Sequence, residues 1–143
     1  MGCRVTTAVS EARTTLHSAL QTVAVMQWWR VHRVIPDQIA APTIYIDSVE
    51  LAREPFNDAT FIVATFPIVM VVDGAVRAQV ETLDDMIAHV WDAASAVGEP
   101  SRTRPFSLDA GGPSLRAHTM DVDMPLLART LCPETLVTVG GTP

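Results

Sequence analysis

Between Thr60 and Asp73 (TFIVATFPIVMVVD) the chain carries apolar side chains on both alternations. Ile62, Ala64, Phe66, Ile68, Met70 and Val72 fall on one, and Phe61, Val63, Val69 and Val71 on the other. No wet face separates from a dry one, which is the pattern of a strand buried on two sides. Fourteen residues extend roughly 46 Å at about 3.3 Å each. A domain of this length has a radius of gyration of only about 14–15 Å, so the strand must bend or project beyond its own core. Pro67, at its middle, cannot donate a ladder hydrogen bond and predicts an edge, a bulge or a bend. A long apolar strand with unpaired backbone on a protein of this size predicts cover by a partner subunit.

After the Asp73-Gly74 turn, Val76, Val80, Leu83, Ile87, Val90, Ala94 and Val97 recur at steps of four and three. This stripe, widened by Trp91, predicts an amphipathic helix over 76–97, closed by Gly98 at C′ with Pro100 soon after. Its polar side carries Arg77, Glu81, Asp84, Asp85, His89 and Asp92. A second helix is predicted over Ser10–Met26, with Ala12, Leu16, Ala19, Leu20 and Val23 inward, Ser10 as N-cap and Arg13 outward. Gln27–Pro36 (QWWRVHRVIP) reads as a short amphipathic strand whose Trp28 and Trp29 anchor a core or an interface; stacking on a nucleotide base is the alternative. Thr43–Val49 predicts a half-exposed strand, and Glu50–Ala59 a protruding charged loop bearing Arg53, Glu54 and Phe56, suited to subunit contact or to plain solvation. Arg102–Asp109 and Leu115–Leu126 predict a closing strand pair around Ala110-Gly111-Gly112-Pro113. Along the second of these each face changes between apolar and polar.

Composition narrows the picture. The 143 residues suit one domain, and 48% hydrophobic against 18% charged residues is apolar for a free monomer but natural for a subunit with large interfaces. No apolar run reaches the length of a membrane span, and the N-terminus has no secretory-signal pattern; Gly2 with Thr6 matches the myristoylation pattern only loosely. Cys3 and Cys132 make no disulfide framework. A net charge of −6 argues against a general nucleic-acid surface, and the all-arginine basic set is read as GC-rich coding.

Candidate chemistry is sparse. His17, His32, His89 and His118 are scattered, and none of the common catalytic or phosphate-binding motifs occurs. Asp85, His89 and Asp92 make a carboxylate–imidazole–carboxylate row at helical spacing, read as local charge pairing on a solvated face. Asp121 and Asp123 share a strand face, but a paired-carboxylate enzyme needs a cleft that nothing in the sequence indicates. No enzyme activity, metal or cofactor is expected.

The order of elements is a helix, a strand at APTIYID, a charged loop, the long strand TFIVATFPIVMVVDG, a helix opening with RAQVETLDDMIAHVWDA and a strand pair. Over Ser10–Ala128 it resembles the tail-terminator, or tail-completion, proteins of long-tailed bacteriophages, most tellingly from Thr60 through Trp91. The Trp28-Trp29 pair departs from the family's pattern. The resemblance implies a small α/β (α+β) sandwich, two main helices packed on a mixed or mainly antiparallel sheet with long projecting strands. It implies one domain over 1–143, with ends near 1–9 and 129–143 flexible or ordered by partners. By the same resemblance the chain is a virion protein assembled in the host cytoplasm. It forms a homo-oligomeric, hexameric ring that caps the tail tube protein and receives the head-completion protein. DNA passes through without sequence-specific binding, and no membrane is involved. Trp28, Trp29, Arg53, Glu54, Phe56, Phe61 and Phe66 are the candidate subunit or partner contacts, and Glu50 and Asp58 the candidate ring or channel surface. The competing readings are another head–tail connector or head-closure ring protein, or a ferredoxin-like ligand-binding regulatory domain.

Overall fold

The computed structural model describes residues 5–26, 29–56, 59–106 and 115–127. Two helices, α1 (Val5–Met26) and α2 (Arg77–Ser95), pack against each other and cover one face of a six-stranded mixed sheet, an α+β fold. The strands are β1 (Arg30–His32), β2 (Thr43–Ile46), β3 (Glu50–Phe56), β4 (Ala59–Asp73), β5 (Glu99–Phe106) and β6 (Leu115–Leu127). Their order is β1-β2-β4-β6-β5, with β3 also on the β2 side of β4. Only β1–β2 is parallel; every other pairing is antiparallel.

β4 is the axis of the sheet. Its even positions Ala64, Phe66, Ile68, Met70 and its Val72 pack with Leu16, Leu20, Met86 and Val90 of the helices, while Val69 and Val71 join Tyr45 and Ala117 in a second cluster on the far face. Both alternations are therefore dry, as the pattern predicts, but only from Ile68 to Val72; Ile62, Val63 and Thr65 are half-buried. Fifteen strand residues span about 50 Å, and the 19 residues of α2 about 28 Å. Helix cover on the sheet reaches Ala64 and Met124 and thins beyond them, where Ile62 and Leu126 are only partly buried; with β3, this end of the sheet is its projecting tip.

Pro67 sits at a break in the ladder. Ile46 pairs with Ile68 and Glu50 with Thr65, so Asp47, Ser48 and Val49 stand opposite only Phe66 and Pro67. The Pro67 carbonyl still accepts from the Asp47 N–H at 2.8 Å, and its missing donor falls at this bulge.

Several expectations are corrected. α1 begins at Val5 rather than at a Ser10 cap, because Val9 packs on the core and extends the stripe upstream; residues 5–9 are helical. Arg13 turns inward rather than outward. All four residues of β2 are buried, not half-exposed: the connection from β1 brings Ile39 and Ala41 over the far face beside Tyr45. Glu50–Phe56 forms β3 instead of a loop, since an edge strand with little cover can carry charge. Of the α2 stripe, Val90 and Ala94 are buried with Met86, whereas Val76 lies at the N-cap and Trp91 remains 37% exposed. Gly98 is no left-handed cap. It is needed because a Cβ there would lie 2.9 Å from the Asp123 carbonyl oxygen and 2.9 Å from Met124 Cγ, where the chain turns into β5 against β6. β5 starts at Glu99, three residues before its predicted start.

The identity switch along β6 is resolved by what lies over each part. On the helix face Arg116 and His118 give way to Met120, Val122 and Met124; on the far face Leu115 and Ala117 give way to Thr119, Asp121 and Asp123.

Candidate assembly surface

The projecting part of the sheet is built from β3, the first half of β4 and the end of β6, in register from Glu50↔Thr65 to Phe56↔Ala59 and from Phe61↔Leu127 to Asp73↔Leu115. Among the described residues β3 pairs with β4 alone, so its other edge is free. Backbone groups alternate along a strand, and the Pro67 carbonyl fixes which way β4 residues face: odd positions toward β2 and β3, even positions toward β6. The pairs Leu51↔Ala64 and Arg53↔Ile62 are consequently of the wide kind, and the N–H and C=O groups of Leu51 and Arg53 point off the sheet. The Leu51 side chain is 50% exposed.

The opposite edge differs. Pro100 pairs with Val122 and Pro105 with His118, even β6 positions whose backbone groups face β4, so both prolines stand on the outer side of β5. Two donors are missing from that edge, which blunts it against strand addition. β1, three residues long, offers little edge of its own. Among the described residues the longest stretch of outward backbone groups without a proline is on β3, at Leu51 and Arg53; Pro55, opposite Thr60, ends it toward the tip.

The carboxylates of β6 are engaged in holding the sheet. Asp121, nearly buried, accepts on one oxygen from Arg104 Nη1 at 2.7 Å and Arg102 Nε at 3.2 Å, both from β5. Asp123 accepts from Thr65 Oγ1 at 2.7 Å. Thr119 Oγ1, between them and the far-face cluster, is buried without a hydrogen-bond partner among the described residues. Asp85, His89 and Asp92 lie on the exposed face of α2.

At the base of β3 the bulge is pinned from α1. Arg13 donates from Nη1 to the carbonyls of Arg33 and Ile46 and from Nη2 to that of Asp47, each at 2.9 Å, with its guanidinium carbon 5.2 Å from the Phe66 ring centre. Burial lowers the Arg13 pKa from its ordinary value; the charge of Arg33 adds to this and that of Asp47 opposes it. Arg33 in turn donates to Ser10 and Thr14 of α1. Val34 and Ile35, both more than half exposed, rim a recess of about 80 Å³ between this clamp, Asp47 and Ser48.

The predicted contact residues separate. Glu50 and Arg53 are exposed on β3. Glu54 and Phe56 lie toward the β3 tip and Phe61 opposite Leu127 on β4. Trp29 and Phe66 do not face a partner: they are core residues, 6% and 0% exposed, because each falls on the helix-covered side of its element. Trp28 and Asp58 lie outside the described residues. Leu51, Val34 and Ile35 were missed. Leu51 is readable in hindsight as an apolar residue inside a charged run (ELAREPF).

No family model matches the sequence, and no curated protein matches it. Among solved structures the fold is similar to a chain described as "Virion of native gene transfer agent (GTA) particle". The TM-score is 0.58 at 15% identity, covering 80% of this chain and 93% of that one. The likeness is one of fold and spans nearly the whole of the other chain. Among the described residues no helix is long and apolar enough to cross a membrane.

Proposed function

We propose that this chain is a structural protein of a phage-type virion, acting by assembly rather than catalysis. More narrowly, it is a ring subunit, hexameric in the closed state, that terminates a tail tube and joins it to the head-completion complex. The observation that carries this reading is the projecting β3–β4–β6 sheet, whose β3 edge has no neighbour among the described residues. A ring closes through heterologous contacts, in which unlike surfaces of neighbouring copies meet. A sheet open at β3 and blunted at β5 has that asymmetry. The shared fold with a chain of a gene transfer agent virion supports the wider class. The elements from Thr60 through Trp91, on which the resemblance to tail terminators rests, support the narrower role.

Glu50, Glu54 and Asp58, in and beside the β3–β4 hairpin, decorate a ring surface past which DNA moves, and their repulsion keeps the duplex from adhering. The test is reconstitution. Purified protein mixed with tail tubes and imaged by negative stain shows rings at the tube end, and the triple variant Glu50→Lys, Glu54→Lys, Asp58→Lys reduces tail–head joining. Chains that stay monomeric by light scattering and leave tubes uncapped would rule out the ring; undiminished joining by the triple variant would rule out the channel surface.

A further inference from the structure

We infer that, in the assembled protein, the free edge of β3 is paired by residues 135–139 of a second copy. This rests on the ring reading above and names the contact that would close it.

Leu51 and Arg53 present backbone N–H and C=O groups outward with no strand beside them among the described residues, and Leu51 adds a half-exposed apolar side chain on that edge. An open edge of this kind binds an extended segment through main-chain hydrogen bonds, with alternate side chains giving selectivity. The β5 edge is the poorer template, because Pro100 and Pro105 withdraw donors on both sides of Thr103, whereas on β3 Pro55 does so only beyond Arg53. The occupant therefore has to be a segment outside the described sheet.

The chain provides one of suitable length at a suitable place. β6 ends at Leu127, opposite Phe61, at the same tip where β3 turns into β4. Sixteen residues follow (ARTLCPETLVTVGGTP), and within them Thr135–Val139 is a run of strand-forming residues between Pro133 and Gly140. Its length matches the free part of β3, and it contains no charged residue to bury. The cover comes from a neighbour, in keeping with a head-to-tail ring in which each copy donates one strand and accepts one.

Hydrogen exchange on the full-length protein tests this at the amides of Leu51 and Arg53. Their exchange slows about tenfold or more as protein concentration rises and copies associate. The double variant Val137→Pro/Thr138→Pro removes a donor whichever register the strand takes, and abolishes that protection while leaving the core amides of Ile68–Val72 protected. Adding a synthetic peptide of residues 128–143 to the double variant restores it. Protection that is independent of concentration would assign the segment to its own chain and overturn the proposal, as would protection that survives both prolines or never develops. Electron microscopy of the same samples separates the two readings: rings with unprotected Leu51 and Arg53 leave the ring standing and remove the strand exchange. Protected dimers that never close do the reverse.

Discussion

Replacing Arg13 with methionine keeps an unbranched stem and deletes the guanidinium that lies over the Phe66 ring. Three hydrogen bonds go with it, to the carbonyls of Arg33, Ile46 and Asp47. Bonds from a charged donor contribute about 1.5–3 kcal/mol each when nothing replaces them. Here water replaces some of them, because the recess beside Asp47 and Ser48 is open. Stacking of the cation on the ring adds about 0.5–2 kcal/mol, and relief of the buried charge offsets part of the total. The net expected loss is about 2–3 kcal/mol.

For a domain of this length that corresponds to a fall in Tm of about 7–10 °C. Urea unfolding should show the midpoint move with an unchanged slope, since the surface exposed on unfolding is the same. Arg13→Lys should recover less than half, because one ammonium cannot reach three carbonyls arranged for a planar fork. Arg33→Ala, which removes only exposed bonds to Ser10 and Thr14, should cost under about 1 kcal/mol. A loss below about 0.5 kcal/mol for Arg13→Met, or full rescue by lysine, would show that the bulge holds its shape without the clamp.

Met86→Ala should cost about 2–5 kcal/mol and Leu83→Ala about half as much, since Met86 is fully buried and Leu83 only partly; the reverse order in urea unfolding would mean that α2 is rotated on the sheet. Gly98→Ala should cost about 1–3 kcal/mol, because the new methyl meets a backbone carbonyl that cannot yield, and a variant as stable as the parent would disprove that close approach. Tyr45, the single tyrosine, has its pKa pushed up to about 12, by burial first and then by the charge of Asp47. The folded state holds the phenol proton more tightly than the unfolded chain, so this contribution is whole below pH 10 and lost as pH rises toward 12. Ultraviolet titration of the folded protein should find no tyrosinate at pH 10.5, and ionisation there at the free-phenol value would contradict the burial.

Hydrophobic periodicity reports whether a face is dry, not what dries it, and the errors of sequence reading here follow from that. The α2 stripe and the double alternation of β4 were legible because one long element carried each signal through several repeats. β2 was misread because Thr43 and Tyr45 look like surface residues until the connection from β1 packs Ile39 and Ala41 against Tyr45 and the Thr43 hydroxyl bonds the Arg30 carbonyl. Arg13 was placed outside on charge alone. Pro67 has no N–H to give the Asp47 carbonyl, and β1 ends at His32, opposite Tyr45, before it reaches the Ile46 carbonyl; both are left for Arg13, and only the tertiary pairing reveals that. Trp29 and Phe66 looked like contact residues because aromatic side chains suit interfaces and cores alike; the side of the element decided for the core.

Pro67 also marks where the molecule changes character. On its C-terminal side every β4 residue through Val72 is sealed from water on both faces by the chain's own helices and connections. On its N-terminal side the helix cover continues over Phe66 and Ala64 and then thins: Ile62 and Val63 are only half-buried, and β3 runs with charged residues beside an exposed leucine. A stable monomer needs none of the about 15 Å of strand, Ala59–Val63, that lies before the first sealed position. The sealed half already carries the core, so apolar residues in the projecting half are what the proposed assembly would cover. This is why the proposed role is sought at the β3 edge rather than in any cleft of the core.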